Sequence, residues 1–163
     1  MDPQIKTLSE MKLIGRKMKM SFANNKTREL WQAFMPRRKE IKNTVAKDLY
    51  SLEIYDPNFF INFDPNREFE KWAAIEVDDY NSIPADMDPI LLPEGLYAVF
   101  LHRGPASKGA TVYDFIFRTW LPDSNFILDI RPHFALMGEK YNYEDENSEE
   151  EIWIPVKPKN GKK

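Results

Sequence analysis

Two short runs in this chain echo each other. Phe34-Met35-Pro36-Arg37 and Trp120-Leu121-Pro122-Asp123 each close an amphipathic helix pattern, 86 residues apart (120 − 34). Each pattern follows a strand-like segment and precedes two more. A chain that uses one supersecondary unit twice is constrained to a pseudo-twofold domain. The seam between its halves is then the natural place for a site.

In the first half, residues 11–20 alternate between apolar and charged side chains, which predicts a strand with one wet face. Asn24 and Asn25 offer N-caps to the helix that follows. Leu30, Trp31, Phe34 and Met35 make its apolar face, and Pro36, with no amide hydrogen, ends or kinks it. Residues 49–55 and 69–77 read as the next two strands. Between them Asp56-Pro57-Asn58 and Asp64-Pro65-Asn66 are turn signals around an apolar patch, Phe59-Phe60-Ile61. Residues 82–95 carry Pro84, Pro89 and Pro93, a stretch that resists helix and strand alike and reads as the connector.

The second half repeats the order. Residues 96–102 form a strand signal, and residues 111–121 a helix with Val112, Phe115, Ile116 and Trp120 on one face, ended by Pro122. Residues 133–139 and 151–157 are strands, separated by an acidic loop over 142–150 in which Glu149-Glu150-Glu151 reads as a solvated edge. The class is therefore α+β: duplicated strand-helix-strand-strand modules with pseudo-twofold symmetry and a largely antiparallel sheet. The boundaries are a single domain over 1–163, with module 1 about 7–80, a linker about 81–94 and module 2 about 95–158.

Composition limits the function. A net charge of −3 with no concentrated basic face points away from nucleic acid, and residues 1–19 hold no continuous apolar core that would span a membrane. The chain has no cysteine, which excludes thiolate catalysis and disulfides and fits a reducing, cytoplasmic setting. His102 and His133 lack paired-ligand spacing, so neither a metal nor another cofactor is expected. Both read as histidines hydrogen-bonded within the sheet. No glycine-rich phosphate loop or Ser-His-Asp order appears.

The second half carries a more specific pattern: Gly95-Leu96-Tyr97-Ala98-Val99-Phe100, His102-Arg103-Gly104, Trp120-Leu121-Pro122, Arg131-Pro132-His133-Phe134 and Glu151-Ile152-Trp153-Ile154-Pro155-Val156. In order and spacing it resembles the gyrase-inhibitor-like small-molecule-binding family, also found as the effector-binding domain of AraC-type and MerR-type activators. Leu30-Trp31 with Phe34-Met35-Pro36-Arg37-Arg38 resembles the first-half helix of its stand-alone members, so the likeness covers roughly the whole chain. The resemblance implies two helices flanking a central groove that takes bulky aromatic or cationic ligands, with aromatic side chains around a buried carboxylate. Aromatic faces attract cations and stack on flat molecules. The lining expected here is Trp31, Phe34, Tyr113 and Trp120 from the helices, with Tyr97, Ala135, Met137 and Trp153 from the strands. On the bland reading each of these aromatics is core. The family's regulators place a DNA-reading domain before this one. Here the resemblance begins almost at Met1, so the expectation is a binder without that domain, serving multidrug sequestration or detoxification.

One position departs from the pattern. The family's glutamate directly follows the phenylalanine, and here Phe134 is followed by Ala135. Some family members hydrolyse cyclopropane-bearing, DNA-alkylating natural products, and that glutamate would be their base. Three accounts stay open: a binder without the reaction, a hydrolase using another acid such as Glu53 or Glu139, or an engineered glutamate-to-alanine form. A further alternative is a protein-interaction module such as a gyrase inhibitor, presenting Phe59-Phe60-Ile61.

Overall fold

The computed structural model describes residues 2–105, 108–138 and 146–159. In chain order the elements are β1 (Gln4–Leu8), β2 (Met11–Met20), α1 (Thr27–Phe34), a 3₁₀ turn (Met35–Glu40), β3 (Leu49–Ile54), β4 (Phe69–Glu76), β5 (Asp88–Leu92) and β6 (Gly95–Arg103). Then come α2 (Gly109–Phe115), a π turn (Ile116–Trp120), α3 (Leu121–Asp123), β7 (Phe126–Leu128), β8 (His133–Met137) and β9 (Glu149–Pro158). The strands form one sheet in the order β1-β6-β9-β8-β3-β4-β2-β5, with β7 added on β9, and all neighbours are antiparallel.

The order is a palindrome about β8 and β3. Module 1 supplies β2-α1-β3-β4, module 2 supplies β6-α2-β8-β9, and β3 pairs with β8 to join them. One offset carries the strands onto each other: Gln4–Leu8 and Asp88–Leu92 stand 84 residues apart (88 − 4). The register repeats with the same offset, since Gln4 faces Val99 and Asp88 faces Gly15 (99 − 15 = 84). Ser51 and Ala135, also 84 apart (135 − 51), face each other. The pseudo-twofold axis therefore passes through the Ser51–Ala135 pair. The helix echo is offset by two residues more, and the π turn in the second helix takes up part of the excess.

Both helices lie on the same face of the sheet. Alternation sends Ile14, Ala73 and Ile75 to Leu30 and Phe34 of α1, and Ala98, Phe100, Ile152 and Ile154 to Val112 and Ile116 of α2. Among the described residues the other face carries no helix, yet Leu13, Leu52, Leu92 and Tyr97 are fully buried there in one cluster with Trp72, Phe134 and Trp153. Only a sheet curled on itself can bury that face, and the strand twist supplies the curl. Central strands thus read as apolar on both sides, as in Leu49–Ile54 and Phe69–Glu76.

Several expectations change at this level. Residues 82–95 are not free of regular structure, because Asp88–Leu92 pairs with β2. As the edge strand it tolerates Pro89, which sits opposite Ile14. Strand β1 is the symmetric addition on β6. Helix α1 starts after Lys26 with no side-chain cap bond, and Asn25 Oδ1 instead accepts the Thr27 amide at 2.9 Å. Pro36 converts α1 to a 3₁₀ turn, and Pro122 opens the last short turn rather than ending the helix before it. Glu149 and Glu150 are not a loop edge: they extend β9 opposite Arg103 and His102. Much of the acidic loop, and Glu139, lie outside the described residues. Among the described residues no helix is long and apolar enough to cross a membrane.

Candidate functional site

The axis brings small side chains together between two helices. Ser51 and Ala135 are both small, and both are buried on the helix-bearing face. One step along the same face, Glu53 stands opposite His133 and Lys71, while Leu49 stands opposite Met137. The floor between the modules is therefore Ser51, Glu53, His133, Ala135 and Met137.

Glu53 is the carboxylate of this floor. Its side chain is 8% exposed and its Oε2 lies 2.9 Å from Lys71 Nζ, itself 17% exposed. By the usual rise of ~3.3 Å per residue it sits ~7 Å along β3 from Ser51, within reach of a ligand held over the axis. His133 is buried among rings, with Tyr55 edge-on at 4.9 Å and Phe60 and Phe117 at 6.3 and 6.2 Å. Burial first, and the Arg131 charge second, push its pKa down to about 3, so the imidazole is neutral at ordinary pH.

Aromatic side chains stand over this end of the floor. Tyr113 on α2 is raised well above the ordinary phenol range by burial and then by the Glu53 and Glu150 carboxylates. Tyr55 is raised by burial, then by Glu53 and Tyr113, which places both phenols beside the same acid. Burial also raises Glu150, whose neighbours include His102, Glu53 and Lys71.

The loop after β3 covers the groove. Arg67 ties it into a fixed shape by donating to the carbonyls of Asn58, Phe59, Ile61 and Asn62. Phe59 is buried, and Phe60 stacks on Phe117 of the other module at 5.5 Å. Of the apolar patch expected to face outward, Phe59 is turned inward, while Phe60 and Ile61 stay exposed at 36% and 61%. An open cleft of about 690 Å³ follows the same loop, lined by Asp56, Pro57, Asn58, Phe59, Ile61 and Arg67. It contains none of the floor residues. The chemistry converges at the axis, so we place the site there and not in that cleft.

Of the side chains expected at the site, Tyr113, Ala135 and Met137 meet at the floor or beside it. Tyr97 and Trp153 lie on the opposite face. Tyr97 Oη donates to Pro132 O at 2.9 Å, and Trp153 stacks on Phe134 at 5.1 Å. The reason is register: Trp153 faces Phe134 while Ile152 faces Ala135, so Trp153 and Ala135 point to opposite sides. Phe34 is fully buried under α1, with Trp31 edge-on to it at 5.8 Å. Trp120 packs edge-on against Phe100 and stacks on Phe126, in the core beneath α2. Lys71, Tyr55, Phe60 and Phe117 were missed. Their signal was faint: an acid and a serine in a strand with no wet face, which must find partners.

A family model described as a GyrI-like small molecule binding domain matches residues 1–157. The transcriptional regulator BrlR of Pseudomonas aeruginosa is 26% identical over 132 residues, and the match covers 78% of this chain and 45% of that regulator. The chain thus spans about half the length of this curated relative. The structure of SAV2435 bound to tetraphenylphosphonium is similar at a TM-score of 0.71 and 22% identity, covering 96% of this chain and 94% of that one. The EcmrR C-terminal domain is similar at 0.70 and 13% identity, covering 95% and 96%. At these identities the two structures show likeness of fold.

Proposed function

This chain belongs to the GyrI-like small-molecule-binding family, and from that premise we propose that it binds bulky aromatic or cationic compounds in the groove on its pseudo-twofold axis. One observation carries the reading: a buried carboxylate, Glu53, beside the small Ser51–Ala135 pair and under the rings of Tyr55, Tyr113, Phe60 and Phe117. Small residues leave room, and the rings offer faces for stacking. The Phe60 loop is the cover that a ligand displaces on entry. Sequestration or detoxification is the role such binding serves. That a fold relative is seen with tetraphenylphosphonium supports the choice of that compound as first probe. Isothermal calorimetry against tetraphenylphosphonium and neutral polyaryl compounds tests it. Micromolar binding that Ala135→Leu weakens at least tenfold is the expected result. No binding to any of them at millimolar concentration contradicts it.

A second reading is hydrolysis of a strained, cyclopropane-bearing alkylator, and Glu53 is the observation that favours it. With alanine at 135, Glu53 is a buried carboxylate on the groove floor, directly opposite His133. Turnover by the native chain that Glu53→Gln removes supports this reading. Turnover that appears only on Ala135→Glu assigns the native chain to binding alone.

A further inference from the structure

The groove floor carries its own cation. Lys71 Nζ lies 2.9 Å from Glu53 Oε2, and both side chains are largely buried. Their backbones face each other across β3 and β4, so the pair is fixed by register and not by a flexible reach. Other titratable groups stand around it. His133, directly across β8 from Glu53, is a neutral imidazole, and Glu150 is shifted toward its protonated form by burial. The phenols of Tyr55 and Tyr113 hold their protons. The Glu53 carboxylate is thus already met by an ammonium.

We propose that Lys71 is a specificity residue: it occupies the place where a ligand's positive charge would meet Glu53, so the native groove favours bulky neutral aromatics over aromatic cations. This rests on the binding reading above and narrows its ligand class. A cation entering the groove meets a carboxylate whose charge is cancelled, and must displace the ammonium or sit beside it. A neutral aromatic loses nothing to that pair and gains the same ring contacts. The positive charge of Lys71 decides the preference: in register it stands between Met18 and Glu53, and its ammonium is 2.9 Å from the carboxylate.

The experiment compares a matched pair of probes, tetraphenylphosphonium and triphenylphosphine oxide, by calorimetry on three proteins. The native chain is expected to bind the neutral oxide at least as tightly as the cation. Lys71→Met leaves Glu53 as a bare carboxylate and raises the cation-to-oxide affinity ratio at least tenfold. Glu53→Gln, close in shape to the native residue, leaves the ammonium alone and lowers that ratio at least tenfold. Should Lys71→Met fail to fold, Lys71→Gln takes its place with the same expected rise in the ratio, because Glu53→Gln lowers the ratio whether or not Lys71 acts. Binding of both probes to all folded variants with ratios within threefold of native overturns the role of Lys71 and leaves the groove standing. No binding of either probe to any protein overturns both.

Discussion

The neutral imidazole of His133 has a measurable consequence for stability. Its folded-state pKa of about 3 lies below the ordinary histidine value of ~6.5, so below that value the unfolded chain takes up a proton that the folded chain refuses. The contribution is fully present above pH 6.5 and is lost as pH falls toward 3. Integrated between pH 7 and pH 5, the loss is about 2 kcal/mol at 1.36 kcal/mol per unit. His133 is 5% exposed, so solvent screening takes little of this away. The perturbation is His133→Gln, with His133→Phe as a control that keeps a ring against Tyr55, Phe60 and Phe117. Urea unfolding at pH 7 and pH 5 is the assay. Carboxylates such as Glu150 titrate in all three proteins and cancel in the difference. The native chain should lose about 2 kcal/mol more than either variant between the two pH values. Parallel losses, within about 0.5 kcal/mol, would refute the closed ring cage around His133 and with it the neutral floor.

Three other outcomes follow from the geometry. Ala135→Leu fills the space over the axis; it should cost about 1–3 kcal/mol by overpacking and weaken ligand binding at least tenfold in titration calorimetry. Tyr97→Phe removes the bond to Pro132 O on the opposite face; it should cost about 1 kcal/mol in urea unfolding and leave ligand affinity within twofold of native. Phe60→Ala removes the stack on Phe117 from a half-exposed position; it should cost about 1–2 kcal/mol and raise the association rate in stopped-flow binding, since the groove loses its cover.

How much of this was readable in the chain depends on the range of the information. Local patterns gave the module order: alternation over 11–20, the apolar helix faces ending at Pro36 and Pro122, and the strand at 96–102. They failed at the two exchanged edge strands. Gln4–Leu8 is almost wholly exposed, so it carries little alternation, and Asp88–Leu92 hides behind Pro89. The site was legible only in part, for a different reason. Alternation says that Ala135 and Phe134 point apart and that Ile152 and Trp153 point apart. Which member of one pair shares a face with which of the other is set by the β8–β9 register, and register is a long-range property. The same holds for Glu53 and Lys71, which meet across a hairpin whose loop carries Phe60.

The central claim is that ligand enters on the helix-bearing face, over the Ser51–Ala135 pair. Methyl-resolved NMR of protein labelled at alanine and methionine methyls, titrated with triphenylphosphine oxide, tests it most directly. The account predicts shifts at Ala135 and Met137 on the floor, with Ala74 in the curled inner core unmoved. Shifts at Ala74 with Ala135 and Met137 unchanged would contradict it.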